Sequence, residues 1–96
     1  MHLTLRQLKI FEAVARHLSF SRAADELHLT QPAVSMQVRS LEEAAGLPLT
    51  EQVGKKIFLT EAGGELARHA RVVAQQLREA EEALARLKAS ATSGEN

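Results

Sequence analysis

The sequence predicts a mainly α-helical fold, with three helices and a small two-stranded hairpin over residues 1–60 and one long helix over residues 61–89. Three observations lead there. Apolar residues recur at spacings of three and four through most of the chain, as a buried helix face requires. Only residues 49–60 break that rhythm and read as strand, turn and strand. Beyond them a four-three alternation runs on for three heptads, too long for one small core to cover.

The first helix is expected over residues 3–17. Leu8, Phe11, Ala15 and Leu18 give its core face, with Val14 beside them, while Arg6, Lys9, Glu12 and Arg16 form a solvated side. Phe20 stands just before the second helix, placed to staple against Ala24 and the first helix. That second helix spans Ser21 to Leu27, with Ser21 as N-cap and Ala23, Ala24 and Leu27 on one face. His28-Leu29 makes a tight turn. Thr30 then caps the third helix, and Pro32 falls in its first turn, where a missing N–H does no harm. Val34, Val38, Leu41 and Ala45 line up as a buried stripe, opposite Gln31, Pro32, Ser35, Met36 and Arg39.

Ala45-Gly46-Leu47-Pro48 stops the helix, glycine as C-cap and proline forbidding continuation. The hairpin follows: Leu49–Val53, a turn of Gly54-Lys55-Lys56, and Ile57–Leu59. Lys55 and Lys56 at its tip are the densest positive charge in the chain. Thr60 caps the long helix and Glu61 suits the positive end of its dipole. Gly63 and Gly64 weaken its first turn, which close packing against the hairpin would explain. Leu66, Ala70, Val73, Leu77, Ala80, Leu84 and Leu87 then form the seam, and self-association is the economical way to bury it. The alanines allow close approach of a partner helix; periodicity does not fix its direction. Residues 90–96 read as a disordered tail or a truncated hinge.

Ninety-six residues suffice for one small domain with a modest core. With no cysteine, neither disulfides nor thiolate metal sites are expected, and a reducing cytoplasm is compatible. The start lacks the basic head and apolar run of a signal peptide, and no run approaches membrane-spanning length. His2, His17, His28 and His69 have no metal-like spacing, and the adjacent pairs Glu42-Glu43 and Glu81-Glu82 read as solvated helix faces rather than acid–base pairs. No metal, no cofactor and no enzymatic activity are expected. The 12 Lys and Arg balance the 12 Asp and Glu, which counts against nucleic-acid binding, although cations clustered on one face can offset a neutral sum.

Two short helices joined by a tight turn, the second with a buried stripe behind a polar N-terminal face, are what insertion into a DNA major groove needs. Any surface helix has a polar side, so more specific words decide. Phe11-x-x-Val14-Ala15, Ser19-Phe20-Ser21-x-Ala23-Ala24-x-x-Leu27, Thr30-Gln31-Pro32-Ala33-Val34-Ser35-x-Gln37-Val38-x-x-Leu41-Glu42 and Leu59-Thr60-Glu61-Ala62-Gly63 stand in order over residues 3–88. Together they resemble the N-terminal domain of LysR-type transcriptional regulators. The run from Glu51 to Thr60 is similar to the regulators of Calvin-cycle (RuBisCO) operons within that family.

The resemblance implies a winged helix-turn-helix that binds double-stranded DNA as a homodimer, with antiparallel linker helices and an interrupted inverted repeat as its site. Gln31, Pro32, Ser35, Met36 and Arg39 would face bases; Ser21, Arg22, Thr30, Gln52, Lys55 and Lys56 would hold phosphate. Leu66, Ala70, Val73, Leu77, Ala80, Leu84 and Leu87 would form the dimer interface. It also implies a longer bacterial cytoplasmic protein, acting at the nucleoid and tetrameric at full length. A C-terminal domain of two α/β lobes would bind a small-molecule effector there. This chain departs from the pattern in places. Many relatives have phenylalanine where Thr50 stands and arginine where Gln52 stands, so an aromatic core residue and a wing cation are lost. Met36 stands where relatives often place a polar or basic reader, and can offer a base only an apolar contact, such as to a thymine methyl. The rival reading is a helical adaptor that dimerises through its last helix and binds protein instead of DNA.

Overall fold

A computed structural model describes residues 1–93, with elements in the order α1 (Leu5–His17), α2 (Phe20–Leu27), α3 (Gln31–Ala45), β1 (Thr50–Val53), β2 (Lys56–Leu59) and α4 (Glu61–Ser93). The expected architecture is present: three short helices, a two-stranded antiparallel wing and a long helix.

Helix α1 starts at Leu5, two residues later than expected, because Thr4 and Gln7 close a capping box there. Its buried band is Ile10, Phe11, Ala13 and Val14, not the single stripe expected. The reason is that α1 is central: it packs against α2, α3 and α4, so two rows of side chains are covered. Leu8 and Ala15 are half-buried, and Leu18 lies beyond the helix end, left-handed at φ 49° and exposed.

The N-cap of α2 is Ser19, not Ser21: the Ser19 hydroxyl accepts the Arg22 N–H at 3.1 Å. Phe20 is therefore the first helical residue and packs, half-buried, on the core. Helix α2 ends in a Schellman closure, with the Leu29 N–H donating to the Ala24 carbonyl and the His28 N–H to that of Asp25. His28 takes the left-handed conformation at φ 57°, which glycine would adopt without steric cost.

Thr30 caps α3 as expected, its hydroxyl accepting the Ala33 N–H, and Val34, Val38 and Leu41 are buried. With Ala23 and Ala24 of α2, the α1 band, Leu49 and Ala67 they make one contiguous core. Gly46 ends α3 at φ 71°.

The wing is a tighter hairpin than expected. Val53 pairs with Lys56, so the loop is Gly54-Lys55 alone and Lys56 opens β2. Gly54 at φ 64° followed by a residue of negative φ is the order a type II′ turn demands. Glu42, Thr60 and Gly63 join the wing to the helices. The Glu42 carboxylate accepts the N–H of Leu49 at 2.8 Å and of Thr50 at 3.4 Å, so Glu42 is a half-buried strand anchor rather than a solvated residue. The Thr60 hydroxyl donates to the Pro48 carbonyl at 2.7 Å and accepts the Gly63 N–H at 3.0 Å, while the Thr60 N–H donates to the Leu49 carbonyl at 3.1 Å. Gly63 presses so closely on Leu49 that a Cβ there would sit 1.9 Å from the Leu49 carbonyl oxygen. Gly64 has open space, so only the first of the two glycines is explained by packing.

Helix α4 holds 33 residues and gives the molecule its long dimension, 61 × 26 × 17 Å. Its first turns belong to the domain: Leu66 packs on the core, Ala67 is buried, and Ala70 is only 1 % exposed. Ala70 therefore has no surface left for a partner, which corrects its place in the expected dimer seam, whereas half-buried Leu66 packs on the core with one side only. Farther along, Val73, Leu84 and Leu87 are exposed, with Leu77 between them half-buried. The helix continues over residues 90–93, where a tail was expected, in a stretch of helix-tolerant residues with the Thr92 hydroxyl donating to the Lys88 carbonyl. Residues 94–96, the rest of that stretch, lie outside the described residues.

Candidate nucleic-acid interface

Two neighbouring surfaces collect the residues singled out in the sequence. The first is the outer face of α3. Gln31, Pro32, Met36 and Arg39 are exposed there and Ser35 is half-buried. The face exists because Val34, Val38 and Leu41 hold the other side of the helix in the core. The Gln31 amide donates to the Ser35 hydroxyl at 2.6 Å, one turn away, which restrains a side chain that would otherwise sample several rotamers.

The second surface is a cleft between the start of α2 and the wing. Ser19, Phe20, Ser21 and Arg22 line one wall, Gln52, Lys55, Lys56, Ile57 and Phe58 the other, with His17, Leu18 and Gln31 completing it. Five of the six residues expected to hold phosphate are thus brought together. Thr30, the sixth, is exposed at the cap of α3 and does not line the cleft. Ser19 bonds the Arg22 N–H, and its carbonyl takes that of Ala23. The Phe20 and Ser21 amides are left at the mouth without an intrahelical acceptor. Those amides, the positive end of the α2 dipole and three cations with no acidic residue in the lining favour a bound anion. Among the described residues Arg22, Arg39, Lys55 and Lys56 form no ion pair. Gln52, itself expected to hold phosphate, donates from its amide to the Gly54 carbonyl at 3.3 Å and so steadies the turn.

Arg16 shows the contrast. It pairs with Glu12 at 2.8 Å and Glu26 at 2.6 Å, and His17 reaches Glu26 at 2.8 Å, so this cation ties α1 to α2 and was misread as merely solvated. Hydrogen bonds from Arg16, and secondarily from His17, lower the Glu26 pKa from 4.5 to about 2. A carboxylate lowered on folding stabilises the fold above its unfolded pKa and loses that contribution as pH falls through its folded one. Glu26 should therefore add stability above about pH 4.5 that fades toward pH 2. Because both side chains are more than a third exposed, the gain is about 1 kcal/mol at most. Urea denaturation between pH 5 and 2.5 checks this: the wild type should lose its lead over Glu26→Gln across that window, and a constant difference would contradict it.

The reading from sequence missed His17, Leu18, Ser19, Phe20, Ile57 and Phe58 in the cleft lining. Ser19 was legible, since a serine directly before Phe20 satisfies the N-cap rule as well as Ser21 does. His17 and Phe58 had no local signal; only the packing of the wing beside α2 puts them there.

No described helix is long and apolar enough to cross a membrane. Among the described residues no group of three or more His, Cys, Asp or Glu is placed to hold a metal ion.

The model of the bacterial regulatory helix-turn-helix protein, lysR family, matches residues 5–64. The RuBisCO operon transcriptional regulator of Allochromatium vinosum is 61% identical over 88 residues, covering 92% of this chain and 29% of that protein. The chain spans less than a third of the length of the curated relatives it matches. Among solved structures, the DNA-binding domain of BenM in complex with catB site 1 DNA superposes with a TM-score of 0.81 at 30% identity, covering 90% of this chain and 97% of that one. The complex of the CbnR DNA-binding domain with DNA gives a TM-score of 0.72 at 36% identity, covering 93% of this chain and 99% of that one.

Proposed function

This chain belongs to the lysR family of bacterial regulatory helix-turn-helix proteins, and from that premise we propose that it binds operator DNA in a sequence-specific way as a homodimer. It is the DNA-binding domain of a LysR-type transcriptional regulator, and its likeness to domains solved on DNA supports that assignment. In this reading residues 1–60 form the winged helix-turn-helix and residues 61–89 the linker that pairs two copies. The observation that carries it is the convergence of Arg22, Lys55 and Lys56 on one acid-free cleft beside the exposed face of α3.

Helix α3 enters the major groove. Gln31, Ser35, Met36 and Arg39 meet base edges, and the α2 N-terminus and wing hold phosphates on either side. The cleft and the exposed face of α3 share Gln31, so phosphate anchoring and base reading are mechanically linked. The amide of Gln31 keeps one N–H and its carbonyl free beyond Ser35, the donor–acceptor pair that matches the major-groove edge of adenine. Two copies read two related half-sites, so the operator is an interrupted inverted repeat.

The whole protein acts at the nucleoid of a bacterial cytoplasm, forms a tetramer and takes its effector through a further domain. Its close relatives include regulators named for RuBisCO operons, so carbon-fixation genes are the targets we assign to it.

Selection from a random duplex pool tests the reading. It should enrich an interrupted inverted repeat; a stable dimer that enriches no sequence would support the adaptor instead. On the selected duplex, Arg39→Ala and Ser35→Ala should each cost about 1–3 kcal/mol of affinity without unfolding the domain. Unchanged binding by both would remove the α3 face from the interface.

A further inference from the structure

Met36 is out of character with its surroundings. It is 66% exposed on a face whose other members are Gln31, Pro32, Ser35 and Arg39, and nothing in the fold calls for a large flexible apolar side chain there. A single exposed apolar residue is ordinary on a protein surface. Its position is what gives it weight. At about 100° per residue, Met36 lies about 200° around the helix from both Val34 and Val38, so it points directly away from the core. In a helix lying in a groove, that is the direction of the groove floor.

Exposed Pro32 stands one turn earlier, and the two form an apolar ridge about 6 Å long, under two base-pair steps of about 3.4 Å. Gln31 and Ser35 flank the ridge bonded to each other, and Arg39 lies one turn further on. A thioether donates no hydrogen bond and accepts only weakly, so it cannot read the donors and acceptors of a base edge. The major groove offers an apolar side chain one kind of group, the C5-methyl of a pyrimidine. A flexible, polarizable methionine packs well on such a methyl.

We propose that Met36 makes a pyrimidine C5-methyl, that of thymine in ordinary DNA, a required feature of each half-site. This rests on the reading that α3 lies in the major groove. The shortness of the ridge confines the requirement to one or two neighbouring pyrimidines per half-site.

The test is fluorescence anisotropy of this chain on the selected duplex, with each thymine replaced in turn by uracil and, separately, each cytosine by 5-methylcytosine. Uracil at one or two adjacent positions per half-site should weaken the wild type about fourfold per methyl lost. Met36→Ala should bind thymine and uracil duplexes alike, whereas Met36→Leu should keep the preference. Circular dichroism and thermal melting of both variants should match the wild type, since the side chain is not part of the core. Uracil without effect at every position, or a thymine preference that survives in Met36→Ala, would overturn the proposal. Tighter binding to a 5-methylcytosine duplex, if it disappeared in Met36→Ala, would support a methyl contact by this side chain, but without a uracil effect the thymine requirement is still overturned. If the wild type bound no duplex at all, the fault would lie with the DNA-binding reading itself.

Discussion

Leu84→Glu should leave a folded monomer where the wild type is expected to dimerise. Leu84 is 68% exposed in the single chain, and its removal costs the domain no core contact. In a paired linker it lies on the seam with Val73, Leu77, Ala80 and Leu87, where an added carboxylate would be desolvated without a partner. Sedimentation velocity should show the halved mass, with an unchanged helical spectrum. Affinity for a two-half-site operator should fall by about a hundredfold, because each copy must then bind alone. A dimer that persists in this variant would contradict pairing through this seam. Ala70→Glu, although on the same heptad, is expected to damage the fold instead, since Ala70 is buried within its own chain.

Gly63→Ala should destabilise the domain by about 3 kcal/mol, at the upper end of what overpacking costs. The added methyl would meet the backbone carbonyl of Leu49, which is itself held by the Thr60 N–H, so neither side can yield alone. Relief requires α4 to lift off the base of the wing, loosening the Glu42, Pro48 and Thr60 contacts together. Urea denaturation gives the magnitude, and Gly64→Ala is the control. With open space at its Cβ position and a helical setting, that neighbour should be neutral or slightly stabilising. Equal effects at the two glycines would show that helix propensity, not the Leu49 contact, governs this turn.

Most of this architecture was legible because local rules agree with the global fold. The α3 stripe, the Thr30 and Thr60 caps, the Gly46 stop and the hairpin all follow from periodicity and capping chemistry. What escaped depends on contacts between segments distant in sequence. Glu42 reads as one more surface carboxylate until the reversal through Gly46 and Pro48 brings the Leu49 and Thr50 amides to it. Arg16 looks solvated until α2 presents Glu26. The heptad count cannot tell which seam residues face the domain and which face outward, so it places Ala70 against a partner although its own chain buries it. The candidate interface divides the same way. The α3 face could be listed residue by residue, but the cleft joining Ser21 and Arg22 to Gln52, Lys55 and Lys56 exists only once the wing has folded beside α2.

The central claim, that this cleft grips the DNA backbone, is tested most directly by the salt dependence of operator binding. Arg22, Lys55 and Lys56 supply three cations per copy and six per dimer. Each neutralised phosphate contributes about 0.9 to the slope, so a plot of log affinity against log salt should fall with a slope of about −5. Replacing Lys55 and Lys56 by glutamine should bring that slope to about −2. A slope near zero in the wild type, or one unchanged by the double substitution, would show that the cleft does not hold phosphate.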